Sequence, residues 1–203
     1  MTFGVSCDEC TITLANGSRL RIRSLRRGED GAVRELFARL SPPTSYLRFF
    51  LPVPAVPDSL VRMLADVDDP WRVALVAVSD DARADVVALG NVGPANEGRG
   101  EVGLVVADAW QGQGVGRALA ERLLQAADAR GYREFVVYSL AANPAVRPLL
   151  GHVAEIMSTT TRDGVSEIAF VRCRREELSA APKPADDMME KAYERMMTRW
   201  RNR

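Results

Sequence analysis

Apolar residues change their period several times along this chain. In Arg19-Leu20-Arg21-Ile22-Arg23 they alternate, so the arginines take one face of a strand and Leu20 and Ile22 the other. Thr11 to Ala15 and Ser18 to Leu25 flank Asn16-Gly17. That arrangement predicts a β-hairpin over a type I′ turn, because Asn-Gly supplies two positive-φ residues. After Gly28-Glu29-Asp30 the spacing lengthens to Val33, Leu36, Phe37 and Leu40, one face of a helix. Ser41-Pro42-Pro43 ends it, since proline cannot continue a helix. Thr44 to Leu51 is a short aromatic segment, and Pro52 to Pro57 is a Pro-rich turn. Asp58 is placed to cap a second helix running to about Asp66. Strands follow at Trp71 to Val78, Ala84 to Val92 and Glu101 to Val106, with a polar turn at Asn96 to Gly100. The third of these is apolar almost throughout, which predicts a central strand. A helix then spans Gly114 to Arg130 with Leu119, Leu123, Ala126 and Ala127 on its buried face, and Gly131 stops it. Phe135 to Leu140 is a strand and Pro144 to Leu150 a short helical segment interrupted by Pro148. Val153 to Thr161 and Val165 to Cys173 make a closing hairpin over Arg162-Asp163-Gly164.

The pattern divides the chain into a domain over 1–175, an Ala/Pro/Lys linker over 176–185 and an amphipathic helix over 186–203. Met188, Met189, Ala192, Tyr193, Met196, Met197 and Trp200 form that helix's apolar stripe. It suits packing on its own domain, docking on a second subunit in a homodimer or on a partner, or a membrane surface. Acids among the bases of its polar face weigh against the membrane. The 203 residues, 47% of them hydrophobic, suffice for one full core. Lys+Arg and Asp+Glu are both 27. That balance argues against nucleic acid as a partner, because such binding needs a basic footprint. No apolar run approaches the ~18 residues of a membrane span and no signal-peptide pattern opens the chain, so a cytoplasmic protein is expected. Cys7 and Cys10 form a CxxC, but only Cys173 and His152 remain as distant further ligands, so no metal site is expected. A CxxC leading into a strand is also unlike a thioredoxin-type redox motif. A single histidine and no Gly-x-Ser-x-Gly disfavour a Ser/His/Asp hydrolase.

Candidate chemistry concentrates at Trp110-Gln111-Gly112-Gln113-Gly114-Val115-Gly116-Arg117. This run lies between the strand ending at Val106 and the long helix. Three glycines in five residues let backbone N–H groups point into the turn, and the helix start adds unpaired donors and a positive dipole end. The product is an anion cradle suited to phosphate or pyrophosphate. A P-loop would end in Gly-Lys-Ser/Thr, whereas this run ends in Gly116-Arg117-Ala118 with no hydroxyl for magnesium. A dinucleotide fingerprint counted from Gly112 would place its last glycine at Arg117, so that pattern fails too. A purely structural turn is the remaining alternative.

Gln111-x-x-Gly114-x-Gly116, after an apolar strand and before a helix, resembles motif A of the GNAT N-acetyltransferase superfamily. The resemblance extends over residues 11–173 in the order of elements. It implies an α/β fold with a mixed, mostly antiparallel central sheet flanked by helices and splayed at the cofactor-binding strand. It implies acetyl-CoA as co-substrate and no metal. The N–H groups of Gln111, Gly112, Gln113, Gly114, Val115, Gly116 and Arg117 would hold its pyrophosphate. Free backbone groups of Leu104, Val105 and Val106 would pair with the pantetheine arm. The Val106 N–H would polarise the thioester carbonyl as an oxyanion donor. The Arg117 side chain either adds charge near a phosphate or is a solvated arginine. Asn143 stands where a motif B residue contacts the arm. The tyrosine that often follows as general acid is missing: Leu149 and Leu150 occupy its place, leaving water or Tyr138.

Acetylating an amine requires removing a proton from a group that is mostly protonated near neutrality. Glu101 opens the cofactor-binding strand ten positions before Gln111, where related enzymes place a base, and Glu97 is the fallback. Leu40-Ser41-Pro42-Pro43-Thr44-Ser45-Tyr46-Leu47-Arg48-Phe49-Phe50 is similar to a segment of bacterial protein lysine acetyltransferases, which act on acyl-CoA synthetases. The resemblance implies a protein substrate, possibly such a synthetase, with Tyr46, Phe49 and Phe50 flanking the lysine stem. Core aromatics are the other reading of these three. A small-amine acceptor and a non-catalytic CoA-binding regulatory module are the alternatives to a protein lysine.

Overall fold

The computed structural model describes residues 9–50 and 56–173. Cys7, the linker and the C-terminal amphipathic pattern lie outside the described residues. One eight-stranded sheet runs in the order β1-β2-β3-β4-β5-β6-β8-β7. Its strands are β1 (Cys10–Thr13), β2 (Arg19–Ser24), β3 (Val73–Ser79), β4 (Val86–Pro94), β5 (Gly100–Val106), β6 (Glu134–Leu140), β7 (Ala154–Arg162) and β8 (Val165–Arg172). The helices are α1 (Asp30–Ala38), α2 (Pro42–Phe49), α3 (Asp58–Leu64), α4 (Val115–Ala129) and α5 (Val146–Val153). Neighbouring strands are antiparallel except β5 and β6, whose parallel pairing needs the α4 crossover.

A core forms on each face of the sheet, while edge strand β7 is exposed along almost its whole length. Leu20, Leu75, Ala88 and Val106 face Leu119, Leu123 and Leu124 of α4 in one core, which Phe135 and Phe170 extend. On the other face, Val76, Leu89 and Val105 pack against Val33, Leu36 and Phe37 of α1 and Val61 and Leu64 of α3. The strand alternation that separates Leu89 from Ala88 and Val105 from Val106 therefore builds two cores from one sheet. No helix among the described residues is long and apolar enough to cross a membrane.

Several local expectations are corrected. Asn16-Gly17 is not a type I′ turn: Gly17 alone has positive φ, at 85°. The Gly17 N–H donates to Leu14 O and the Leu14 N–H to Ser18 O, so the loop is a type I turn closed by a left-handed glycine. The two-positive-φ turn occurs instead at Asp163 (49°) and Gly164 (78°), which close the β7–β8 hairpin. Ser41-Pro42-Pro43 does more than end α1. Ser41 is the N-cap of α2 and its side chain accepts from the Thr44 N–H at 3.3 Å, while the prolines fill positions whose N–H groups a helix leaves unused. The aromatic segment is thus helical. The N-cap of α3 is Pro57, not Asp58. Pro148 does not interrupt α5, because it lies in the first turn, ahead of the Leu149 N–H bond to Ala145 O.

Candidate active site

Strand β5 is held on both sides only at its foot. Its ladder with β6 contains two pairs, Gly100↔Phe135 and Glu101↔Val136, whereas its ladder with β4 continues to Ala88↔Val106. Beyond Glu101 the two parallel strands splay apart. The Ala107 N–H donates to Val87 O, which sets the phase of the β4–β5 ladder. Backbone groups of Glu101, Gly103 and Val105 point toward β4, and those of Val102, Leu104 and Val106 point into the gap. Leu104 and Val106 therefore present backbone groups there. The backbone of Val105 does not, since it is committed to β4.

At the open end of the gap the chain makes the glycine turn. Gly112 and Gly114 have φ of 70° and 88°, and Gly114 is the N-cap of α4 with no side-chain cap. The first bond within the helix runs from the Ala118 N–H to Gly114 O. The N–H groups of Val115, Gly116 and Arg117 are thus the unused donors of the first turn, whereas the Gln111 N–H, expected to face a phosphate, instead donates to Asp108 O at 3.2 Å. Gly116 lies against β5: a Cβ there would stand 3.6 Å from Val106 Cγ2 and 3.7 Å from Leu104 Cδ2. The Arg117 guanidinium pairs with Glu121 at 2.9 Å, one helical turn on. Gln113 Nε2 donates to Ala109 O and Gln113 Oε1 accepts from Asn16 Nδ2, both at 2.7 Å, so the hairpin tip braces the turn. The Gln111 carboxamide donates to Val106 O at 2.9 Å and to Thr44 Oγ1 at 3.2 Å, tying the turn to β5 and α2. Asn143 Oδ1 accepts from the Ala145 N–H at 3.1 Å at the start of α5. Leu150 is buried in the core and Leu149 packs against it, so neither offers a proton. Tyr138 is half-buried on β6, in register with Glu167.

Helix α2 packs on β5 and β6, across the splay. Its N-terminus is fixed by Asp108, whose carboxylate accepts from the Ser41 N–H (2.9 Å), Ser41 Oγ (2.6 Å) and Thr44 Oγ1 (2.7 Å). Burial alone would raise the Asp108 pKa, but the bonds from Ser41 and Thr44 outweigh it and hold the carboxyl below its ordinary value. Tyr46 is exposed. Phe49 packs edge-to-face on Phe37 with ring centroids 5.3 Å apart, placing it at the margin of the second core. Phe50 is the C-cap of α2, at φ 60°.

Glu101 sits on the α2 face of β5, opposite Gly93 and two positions from Gly103. Burial pushes its carboxyl above the ordinary value; the guanidiniums of Arg48 and Arg72 pull it back without cancelling the effect. Arg48 Nη2 donates to Asn91 Oδ1 at 3.0 Å. Sequence reasoning did not single out Arg48, Arg72, Asn91 or the two glycines as parts of this site. Arg48 stood in the quoted segment, yet nothing local shows that α2 brings it to β5. Glu97 lies in the turn before β5, largely exposed and paired with Arg99 at 3.0 Å. Among the described residues no group of three or more His, Cys, Asp or Glu side chains is set to hold a metal.

A splayed parallel pair, a first helical turn with free donors and a half-buried carboxylate at the foot of the splay lie together along β5 and the start of α4. Residues 35–152 match the Acetyltransferase (GNAT) family, and the chain belongs to that family. It is 31% identical over 156 residues to Acetyltransferase PA5475 of Pseudomonas aeruginosa, covering 74% of this chain and 84% of the relative. The GNAT domain of S. lividans PAT superposes with a TM-score of 0.72 at 25% identity, covering 84% of this chain and 99% of that domain. The structure of yncA from Salmonella typhimurium with its cofactor acetyl-CoA gives a TM-score of 0.63 at 19% identity, covering 82% and 99%. The protein is an acetyl-CoA-dependent acetyltransferase of GNAT type, with the mixed, mostly antiparallel sheet expected of it.

Proposed function

We infer that this acetyltransferase modifies a lysine amine of a protein substrate, with Glu101 as general base. One observation carries the assignment of the base. Glu101 is a half-buried carboxylate with a raised pKa, on the strand whose backbone faces the gap, at the last residue paired to β6. A carboxylate whose proton affinity is raised toward the working pH is a better proton acceptor than a free one. The Leu40–Phe50 segment, which resembles that of protein lysine acetyltransferases, supports a lysine acceptor. It forms α2, the helix laid over the splay, with Tyr46 exposed on it.

The residues present fit acetyl-CoA. The N–H groups of Val115, Gly116 and Arg117 offer donors to a pyrophosphate, and Leu104 and Val106 offer backbone groups to an amide-bearing arm. When bound, acetyl-CoA supplies an acetyl group activated as a thioester. Glu101 takes a proton from the acceptor ammonium, directly or through one water, which frees the nitrogen lone pair to attack the acetyl carbon. The Val106 N–H, directed into the gap, would stabilise negative charge on the acetyl oxygen as the C–N bond forms; the CoA thiolate released when the C–S bond breaks would take up, through water, the second proton that the nitrogen sheds. Gln111 holds Val106 O, fixing the orientation of that stretch of backbone.

Glu101→Gln keeps the shape and removes the base. Turnover is expected to fall roughly 10²- to 10⁴-fold, with acetyl-CoA affinity by calorimetry unchanged. Unimpaired turnover in that variant excludes Glu101 as base. Incubating cell lysate with the protein and labelled acetyl-CoA, followed by mass spectrometry, tests the acceptor: label on lysines of few proteins supports the assignment, and label confined to small amines overturns it.

A further inference from the structure

Arg48 reaches the site through an arrangement that a side chain on β5 would forbid. Its guanidinium lies over Gly103: a Cβ built there would stand 3.0 Å from Arg48 Cζ and 2.8 Å from Asn91 Oδ1, and would overlap Arg48 Nη2. Asn91 faces Gly103 across the β4–β5 ladder and accepts from Arg48 Nη2 at 3.0 Å. Arg48 Nε is buried with no hydrogen-bond partner, as are Arg21 Nε and Arg172 Nε. Glu101 lies two residues along β5, on the same face. Gly93 repeats the pattern across from Glu101, because a Cβ there would stand 3.3 Å from Arg72 Nη1. Two missing side chains thus admit two guanidiniums to the neighbourhood of one half-buried carboxylate.

We propose that Arg48 is a positioning residue for acetyl transfer: seated on Gly103 and tied to Asn91, its guanidinium supplies the charge that keeps Glu101 serviceable as a base beneath α2. The proposal rests on the reading of Glu101 as that base. Burial disfavours a carboxylate, and without an opposing cation Glu101 would hold its proton more tightly still. Arg48 from α2 and Arg72 from the turn before β3 oppose that effect. From β4 the neighbours are Asn91 and Gly93, neither of them charged. In the turn just before β5 Arg99 is engaged with Glu97 and Glu167, and Val136 is the β6 residue paired with Glu101. Because α2 also carries Ser41 and Thr44, which bind Asp108 and Gln111 at the glycine turn, one helix sets both the donor turn and the charge on the base.

The test is a direct titration of the Glu101 carboxylate by carbon-13 NMR in glutamate-labelled full-length protein, assigned by its loss in Glu101→Gln. In Arg48→Gln the midpoint is expected to move up by roughly one pH unit or more, the usual effect of removing a near cation. Arg48→Lys keeps a charge and should restore most of the shift. Gly103→Ala keeps the arginine but fills its slot, and should move the midpoint in the same direction as Arg48→Gln. Equal midpoints in the native protein and in folded Arg48→Gln overturn the proposal. If Arg48→Gln does not fold, an unmoved midpoint in Gly103→Ala does the same. The base reading fails separately, through undiminished turnover of Glu101→Gln.

Discussion

The three glycines of the cofactor turn are not equivalent, and the differences are measurable residue by residue. Gly112 and Gly114 sit at positive φ with nothing within 4 Å of an added Cβ, so alanine there meets no steric neighbour and bears only the backbone cost. Alanine at either position is expected to lower stability by about 1 kcal/mol and to weaken acetyl-CoA binding as the turn relaxes. Gly116 is helical, and its added methyl would make ordinary contact with Val106 and Leu104. Gly116→Ala should hold or raise stability by up to about 1 kcal/mol. Urea denaturation separates the cases, and equal losses at Gly114 and Gly116 would show that φ does not govern this turn. The same contrast explains what was legible. Glycine spacing is a local signal, and Gly114 and Gly116 mark the turn and the start of α4 from the sequence alone. Gly93 and Gly103 matter for the opposite reason: each makes room for an arginine from another element. The Arg48–Asn91 bond joins residues 43 positions apart, and no spacing along the chain displays it.

At the scale of elements, α2 is the part the hydrophobic pattern missed. It buries no residue fully, so it has no apolar stripe to show, and its prolines look like a stop signal. What makes it a helix is chemistry at its first turn: Ser41 as cap, prolines at N1 and N2, and Asp108 receiving three bonds. Asp108→Asn should therefore destabilise the protein, with a definite pH dependence. The folded pKa of Asp108 lies below its unfolded value, so its contribution is present in full above that unfolded value, near 4. It is lost as pH falls through the lower folded pKa. The stability gap between native protein and variant is expected to be widest at neutral pH and to narrow below about pH 4. Chemical denaturation at pH 7 and pH 3 checks this, and a gap that does not change with pH removes Asp108 from the account. The effect is modest, since Asp108 is solvent-exposed and screened. The type I′ turn has a similar lesson. Asn-Gly and Asp-Gly both satisfy the local preference, but the hairpin closed by Asn16 takes a longer loop, which lets Asn16 reach Gln113.

For the whole molecule, the order of strands and helices was readable because each element carries its own period, and the β5-α4-β6 crossover follows from one glycine-rich turn between two apolar strands. The splay was legible only through the family resemblance carried by the glycine turn, because Val102 to Val106 would look the same in a continuous sheet. It arises where the parallel ladder stops after two pairs and α2 and α4 cover the two faces of the opening. Closing a carboxylate into that opening has a consequence for global stability. The folded pKa of Glu101 is raised above its ordinary 4.5 by burial, against the pull of Arg48 and Arg72. A raised carboxyl pKa means that the folded state binds more protons than the unfolded state between the two values, so stability falls as pH rises through that interval. Below pH 4.5 the penalty is absent; above the folded pKa it is complete and constant. Glu101→Gln has no proton to lose and should not show this fall. Whatever offset the substitution introduces by leaving Arg48 without its counter-charge, the variant's stability relative to the native protein should climb with pH from about 4.5 and then level off. Urea denaturation of both proteins from pH 4 to pH 8 measures that difference directly. A flat difference would mean that ionising Glu101 carries no net cost in the fold, and the argument that burial tunes it as a base would fall with it.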